Sequence, residues 1–256
     1  MRHDARTMRG GMLAGRSARW AGAAIALLCL LAAGPASANP VVRFTLSGAS
    51  FDVLLYQDTA PITVANFLRY VDAGEYAGTV IHRSIPGFIW QGGGFDLAGD
   101  PPQAVPIPTF APIANEFGAS NIRGTIAMAK TPEFDESGNP IPGGGPDSAT
   151  RQWFFNLADN SANLDNQNGG FTVFGEVVGT GMDVVDLVAT LPTGDFSADL
   201  GFYGNNFTNT PYYVPEGGGP TALVVESISV VPVPEPATFA LALSSLLGLA
   251  ALRRRM

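Results

Sequence analysis

The segment Ile81-His82-Arg83-Ser84-Ile85-Pro86-Gly87-Phe88-Ile89-Trp90-Gln91-Gly92-Gly93-Gly94-Phe95 holds the most informative side chains in this chain. An arginine is followed five residues on by an aromatic, three further by a glutamine, and then by a glycine run. A guanidinium stays charged at any relevant pH and offers its donors in a fixed fork. Arg83 can therefore stabilise a developing lone pair without giving up a proton. A second set, Arg151-Gln152-Trp153-Phe154-Phe155-Asn156, supplies further aromatics and another glutamine. Taken singly, Phe88, Ile89 and Phe154 read as ordinary core, Gln91 and Gln152 as surface, and His82 as a packing histidine.

What is missing narrows the chemistry. The one cysteine, Cys29, lies in the basic and apolar leader, so the region from Asn39 onward has no thiol nucleophile and no thiolate metal site. Its one histidine, His82, excludes a multi-histidine zinc site and leaves little room for a Ser-His-Asp arrangement. Gly143-Gly144-Gly145 lacks the Lys-Ser/Thr pair of a phosphate-binding loop. No cofactor is implied.

The elements that must position these residues are mostly short strands. Val41–Leu46 and Phe51–Leu55 flank Ser47-Gly48-Ala49-Ser50 and read as a hairpin. Ile62–Val71 follows Pro61 with apolar residues at helical spacing, which predicts an amphipathic helix. Thr79–Trp90 follows glycine breaks at Gly74 and Gly78. Further β-rich runs lie at Gly124–Ala129, Gln152–Leu157, Phe171–Val178 and Ala222–Val231, with a second helix at Met182–Thr190. Short strands with two helices favour a closed β-barrel with helices over its open ends, not βαβ units. Thr131–Pro146 and Gly201–Pro220, rich in Gly and Pro, read as long surface loops.

The Arg83–Phe95 segment resembles the signature of the cyclophilin-type peptidyl-prolyl cis-trans isomerases. Gly124–Ala129, Arg151–Asn156, Phe171–Val178 and Gly181–Val185 are similar to later motifs of that family, in the family's order. The resemblance implies a mainly β fold, a closed eight-stranded antiparallel barrel capped by two α-helices, with a groove on one outer face. It also implies binding of X-Pro segments and interconversion of their cis and trans isomers, without a cofactor. By the same resemblance Arg83 is catalytic and Gln91 orients it. Phe88, Ile89, Phe154, Ala129 and Leu164 form the substrate pocket, and Gln152 bonds the substrate backbone. The chain departs from the pattern at the rim. Ile81, Ile89, Trp153, Lys130 and Phe171 replace the usual residues, and Asn163 stands where an aromatic is expected, so weak binding of cyclosporin-like ligands follows.

Both ends carry further signals. Residues 1–38 run from arginines through an apolar stretch to Ala36-Ser37-Ala38, the layout of a secretory signal peptide. Val233-Pro234-Glu235-Pro236, an apolar run from Ala237 to Leu252, and Arg253-Arg254-Arg255 resemble the PEP-CTERM sorting signal, which implies an exosortase-type sorting enzyme as partner and a membrane tether. The working domain is then 39–232, with export to the cell envelope as the expected destination. That domain has six basic residues against twenty acids, a net charge of about −14, which argues against nucleic-acid partners. A proline-peptide-binding or matrix-associated module of low activity is the alternative reading.

Overall fold

The computed structural model describes residues 39–135 and 137–232. Alternating burial explains the first hairpin. Strand β1 (Val41–Leu46) turns Val42, Phe44 and Leu46 inward, and β2 (Ala49–Leu55) does the same with Phe51, Val53 and Leu55. Leu46 pairs with Ala49, so Ser47-Gly48 is a two-residue turn, and Gly48 takes the positive φ that such turns need. Helix α1 (Pro61–Asp72) opens on proline, where the missing N–H costs nothing. Its free N–H groups at Ile62 and Thr63 donate instead to the Glu116 carboxylate, at 3.0 and 2.7 Å.

Strands β3 (Arg83–Ile85) and β4 (Ile89–Gly92) form a second hairpin, and β5 (Phe95–Ala98) and β6 (Gln103–Pro106) a third. Strand β7 (Thr125–Met128), β8 (Trp153–Asn156), the short helix α2 (Ser161–Leu164), β9 (Val173–Val178) and α3 (Gly181–Thr190) follow. The chain then adds β10 (Thr193–Gly194), a 3₁₀ turn (Gly201–Phe207), β11 (Thr210–Tyr213), β12 (Thr221–Ala222) and β13 (Val225–Val231).

Eight of these strands form one antiparallel sheet in the order β13-β1-β2-β9-β7-β8-β4-β3. The expected strand number holds, but the expected closure of the barrel does not: the edge strands β13 and β3 form no ladder with each other. Just before β3 the chain meets the start of β13 only through the isolated bridge Val80↔Val224 and bonds such as Ile81 N–H to the Leu223 carbonyl. Gly78, at φ +90°, turns the chain sharply there, and three-residue β3 is too short to continue the pairing. The eight strands thus make an open sheet. Its concave side is aromatic: Phe44, Trp90, Trp153, Phe155 and Phe174 of the strands interlock with one another and with Phe67 and Tyr76 from outside the sheet, mostly edge to face. Helix α1 adds Val64, Phe67 and Tyr70, and α3 adds Val185 and Val188. The Trp90 indole donates to the Val185 carbonyl and ties α3 to the sheet.

The segment 131–146 lies outside both large cores, as its composition suggests, and Asp135 folds it upon itself by accepting from Ser137 and Asn139. Gly201–Pro220 is not merely a surface loop. Its Phe207 is fully buried in a second cluster with Val80, Phe95, Ala104 and Leu200, and Thr210 donates to the His82 carbonyl. One buried aromatic decides the packing of a segment that composition marks as a turn.

Candidate functional site

The spacing of Arg83, Phe88 and Gln91 is the spacing of a hairpin. Arg83 pairs directly with Gln91 across β3 and β4, and Phe88 sits in the turn, its N–H held by the Ile85 carbonyl. Gly87, at φ +72°, makes that turn. The register continues sideways: Gln91 faces Phe154 on β8, and Phe154 faces Ala127 on β7. Directly opposed residues share a face, so Arg83, Gln91, Phe154 and Ala127 form one row on the convex side. The adjacent row, Trp90, Phe155 and Ile126, points into the aromatic core.

Around that row lies a third apolar cluster, built of Ile89, Ala127, Phe154, Leu164 and Val173, with Phe88, Ala129 and Phe171 packed against it. The fold thus brings together Phe88, Ile89, Phe154, Ala129 and Leu164, drawn from the hairpin turn, three strand regions and α2. The Phe154 and Phe171 rings meet edge to face at 5.7 Å. Asn163, next to Leu164, is exposed and leaves that side of the rim without an aromatic wall.

The two glutamines meet as well. Gln91 Nε2 donates to Gln152 Oε1 at 2.7 Å. The expected role of Gln91 differs in detail: it lies opposite Arg83, but among the described residues its amide bonds Gln152, not the guanidinium. This contact spans 61 residues of chain, which linear spacing cannot reveal. Arg83 is half-buried, and burial lowers its pKa. The described ion pairs engage Arg43 with Asp52 and Arg123 with Asp186, and none engages Arg83. Its donors are therefore available to a ligand. Gln91, Gln152 and Ala129 also border a cleft of about 320 Å³, which Lys130, Arg151 and part of the 131–146 segment complete.

A buried amide network holds the pocket in place. Asn160 donates to the Phe88 carbonyl and to Asn156 Oδ1, and Asn156 in turn donates to Asn121 and Thr125. Asn121 donates to the Phe171 carbonyl and to Asp165. These asparagines were not among the expected site residues. Their only signal in the sequence is a polar residue ending an apolar strand, at Asn156. His82 is a packing residue, as expected: it is 2% exposed and sits between Phe95 and Phe207. Burial first, then the charge of Arg83, push its pKa down to about 3.

The described residues thus form an open eight-stranded antiparallel sheet with an arginine, paired glutamines and an apolar pocket gathered on its convex face. The model of the cyclophilin type peptidyl-prolyl cis-trans isomerase/CLD family matches residues 41–201, and the chain belongs to this family. It is 41% identical over 176 residues to a peptidyl-prolyl cis-trans isomerase of Acinetobacter baylyi, covering 68% of this chain and 84% of that one. Peptidyl-prolyl cis-trans isomerase B of Escherichia coli is 39% identical over 160 residues, covering 60% and 87%. Among solved structures, a cyclophilin-type isomerase of Cryptosporidium parvum is similar in fold, with a TM-score of 0.52 at 17% identity, covering 77% of this chain and 99% of that one.

Proposed function

We propose that this isomerase acts on X-Pro bonds of exported proteins and assists their folding, with Arg83 as its catalytic group. The observation that carries the reading is the convex row in which Arg83 and Gln91 stand beside Phe154 and the apolar cluster. Rotation about an X-Pro bond must break amide resonance, with a barrier of about 18–20 kcal/mol. A donor that engages the prolyl nitrogen as it pyramidalises favours the twisted state over either planar isomer, which is differential transition-state binding. The proline ring enters between Phe88, Ile89, Phe154 and Leu164, beside Ala129, because a rigid aromatic pocket suits a ring with no polar atoms. Gln152, positioned by Gln91, binds the substrate backbone. No cofactor enters the reaction.

A protease-coupled proline isomerisation assay tests this. The purified chain should raise the isomerisation rate of a short Ala-Pro-Phe peptide in proportion to its concentration. No acceleration, with peptide affinity intact, would instead favour a docking module, a reading to which the exposed Asn163 at the rim lends its one support.

The two ends support export and sorting to the envelope. A basic, apolar and small-residue leader precedes Asn39, and a Pro-Glu-Pro motif, apolar run and arginine tail close the chain. On this reading the leader is removed after Ala38, and an exosortase-type enzyme handles the tail while the apolar run tethers the protein to the membrane. Both segments lie outside the described residues, and among the described residues no helix is long and apolar enough to cross a membrane. Mass spectrometry of envelope and medium fractions should find a chain beginning at Asn39. Recovery of the full-length chain from the cytoplasm would overturn the assignment.

A further inference from the structure

The six basic residues between Asn39 and Pro232 are unevenly placed. Arg43 and Arg123 are taken up by ion pairs on the surface, and Arg69 lies 3.6 Å over the Phe110 ring. The other three, Arg83, Lys130 and Arg151, gather at the groove and the cleft beside it. In a domain with twenty acids, half of the positive charge faces one binding surface.

The cleft itself is polar, bordered by Gln91, Gln152, Lys130, Thr131 and Arg151, and no described Asp or Glu lines it. Lys130 is already committed. Its ammonium donates to Asn115 Oδ1 at 2.7 Å and to the carbonyls of Asn168 and Gly170, and Asp147 lies near enough to favour its charge. Arg151 is not committed. It is half-buried, its side chain takes part in no described hydrogen bond or ion pair, and its buried Nε has no partner. Burial lowers its pKa, and the groups that offset this are Tyr70, Tyr203 and Tyr76, not a carboxylate. A half-buried guanidinium without an acid pays for desolvation with no compensating contact.

We propose that this cleft is a subsite for an acidic side chain, in which Arg151 receives a Glu or Asp of the substrate lying within a few residues of the proline. The inference rests on the isomerase reading and names the substrates that reading would favour. A carboxylate matches the arginine fork and a cleft that no described Asp or Glu lines, and the amide of Gln152 adjoins it. Neutral-side-chain substrates would still bind through the apolar pocket, but they would leave the fork unsatisfied.

The test is a set of proline pentapeptides in which Glu, Gln or Lys is placed in turn at each position flanking the proline, assayed at low salt with the purified chain. At one position Glu should exceed Gln in kcat/KM by roughly five- to tenfold, the worth of one charge-assisted hydrogen bond at a half-buried site. The gain should lie in KM, and it should shrink as salt rises. In Arg151→Gln the Glu-to-Gln ratio should fall to about one, and Arg151→Lys should restore part of it. Turnover of the Gln peptides with no advantage for Glu at any position would overturn this inference and leave the isomerase reading standing. An unchanged ratio in Arg151→Gln would remove Arg151 from the subsite. No turnover of any peptide would overturn the isomerase reading, and this inference with it.

Discussion

Arg83→Ala should lower kcat/KM by about two to three orders of magnitude, the loss expected when one preorganised donor is removed from a transition state. The loss should fall on kcat more than on KM, because the prolyl nitrogen accepts only as it leaves planarity. Melting temperature should barely move. Arg83 faces the convex side opposite Gln91, and none of its donors holds a described residue in place. Arg83→Lys should recover only a fraction, since a point charge cannot reproduce the planar fork. Phe154→Ala serves as the contrast. It empties a site only 3% exposed, so it should weaken peptide binding and also cost roughly 3 kcal/mol of stability through the cavity. A folded Arg83→Ala protein that isomerises proline peptides at the parent rate would rule out the arginine as the catalytic donor.

The second large effect is on stability in acid. Folding keeps the His82 ring neutral down to about pH 3, because burial and the adjacent Arg83 disfavour its charge, whereas the free ring titrates near 6.5. Between these values the unfolded chain binds more protons, so stability falls as pH falls through the window and is unaffected by this group above it. At about 1.4 kcal/mol for each unit, the loss accumulated by pH 3 is on the order of 4 kcal/mol. His82→Leu should flatten the dependence. The substitution leaves the Thr210 bond to the backbone carbonyl intact and keeps an apolar side chain between Phe95 and Phe207. Urea unfolding of parent and variant between pH 6.5 and 5, above most carboxylate titration, isolates the histidine. Equal slopes in the two proteins would show that the ring does not resist protonation.

The helices show what the sequence makes legible. Pro61 and the apolar spacing of Ile62–Val71 foretell α1 at Pro61–Asp72, and Met182–Thr190 misses only the first residue of α3. Both have enough turns for their period to register. The strands of the first hairpin are equally plain, since their alternation is uninterrupted. The β5–β6 hairpin, β10 to β12 and α2 are too short for any period, two to four residues each, and they persist through contacts with distant segments. The site divides in the same way. Arg83, Phe88 and Gln91 belong to one hairpin, so local spacing exposes them. The Gln91–Gln152 bond and the exposure of the cleft to Arg151 depend on strand register between segments about sixty residues apart, and barrel closure turns on one glycine bend and a three-residue strand.

The shared row of Arg83, Gln91, Phe154 and Ala127 depends on the parity of the chain. Gln91, Phe154 and Ala127 are each flanked by a residue that points into the aromatic core: Trp90 beside Gln91, Phe155 beside Phe154, and Ile126 beside Ala127. Inserting or deleting a single residue within β4 or β8 would bring tryptophan or phenylalanine out to the groove and drive a glutamine into the core. Variants of this chain should therefore tolerate changes of length within 132–142, which leave this row and the lining of the cleft in place. Within β4 and β8 they must keep their residue count, even where the chemistry of an individual side chain is free to drift.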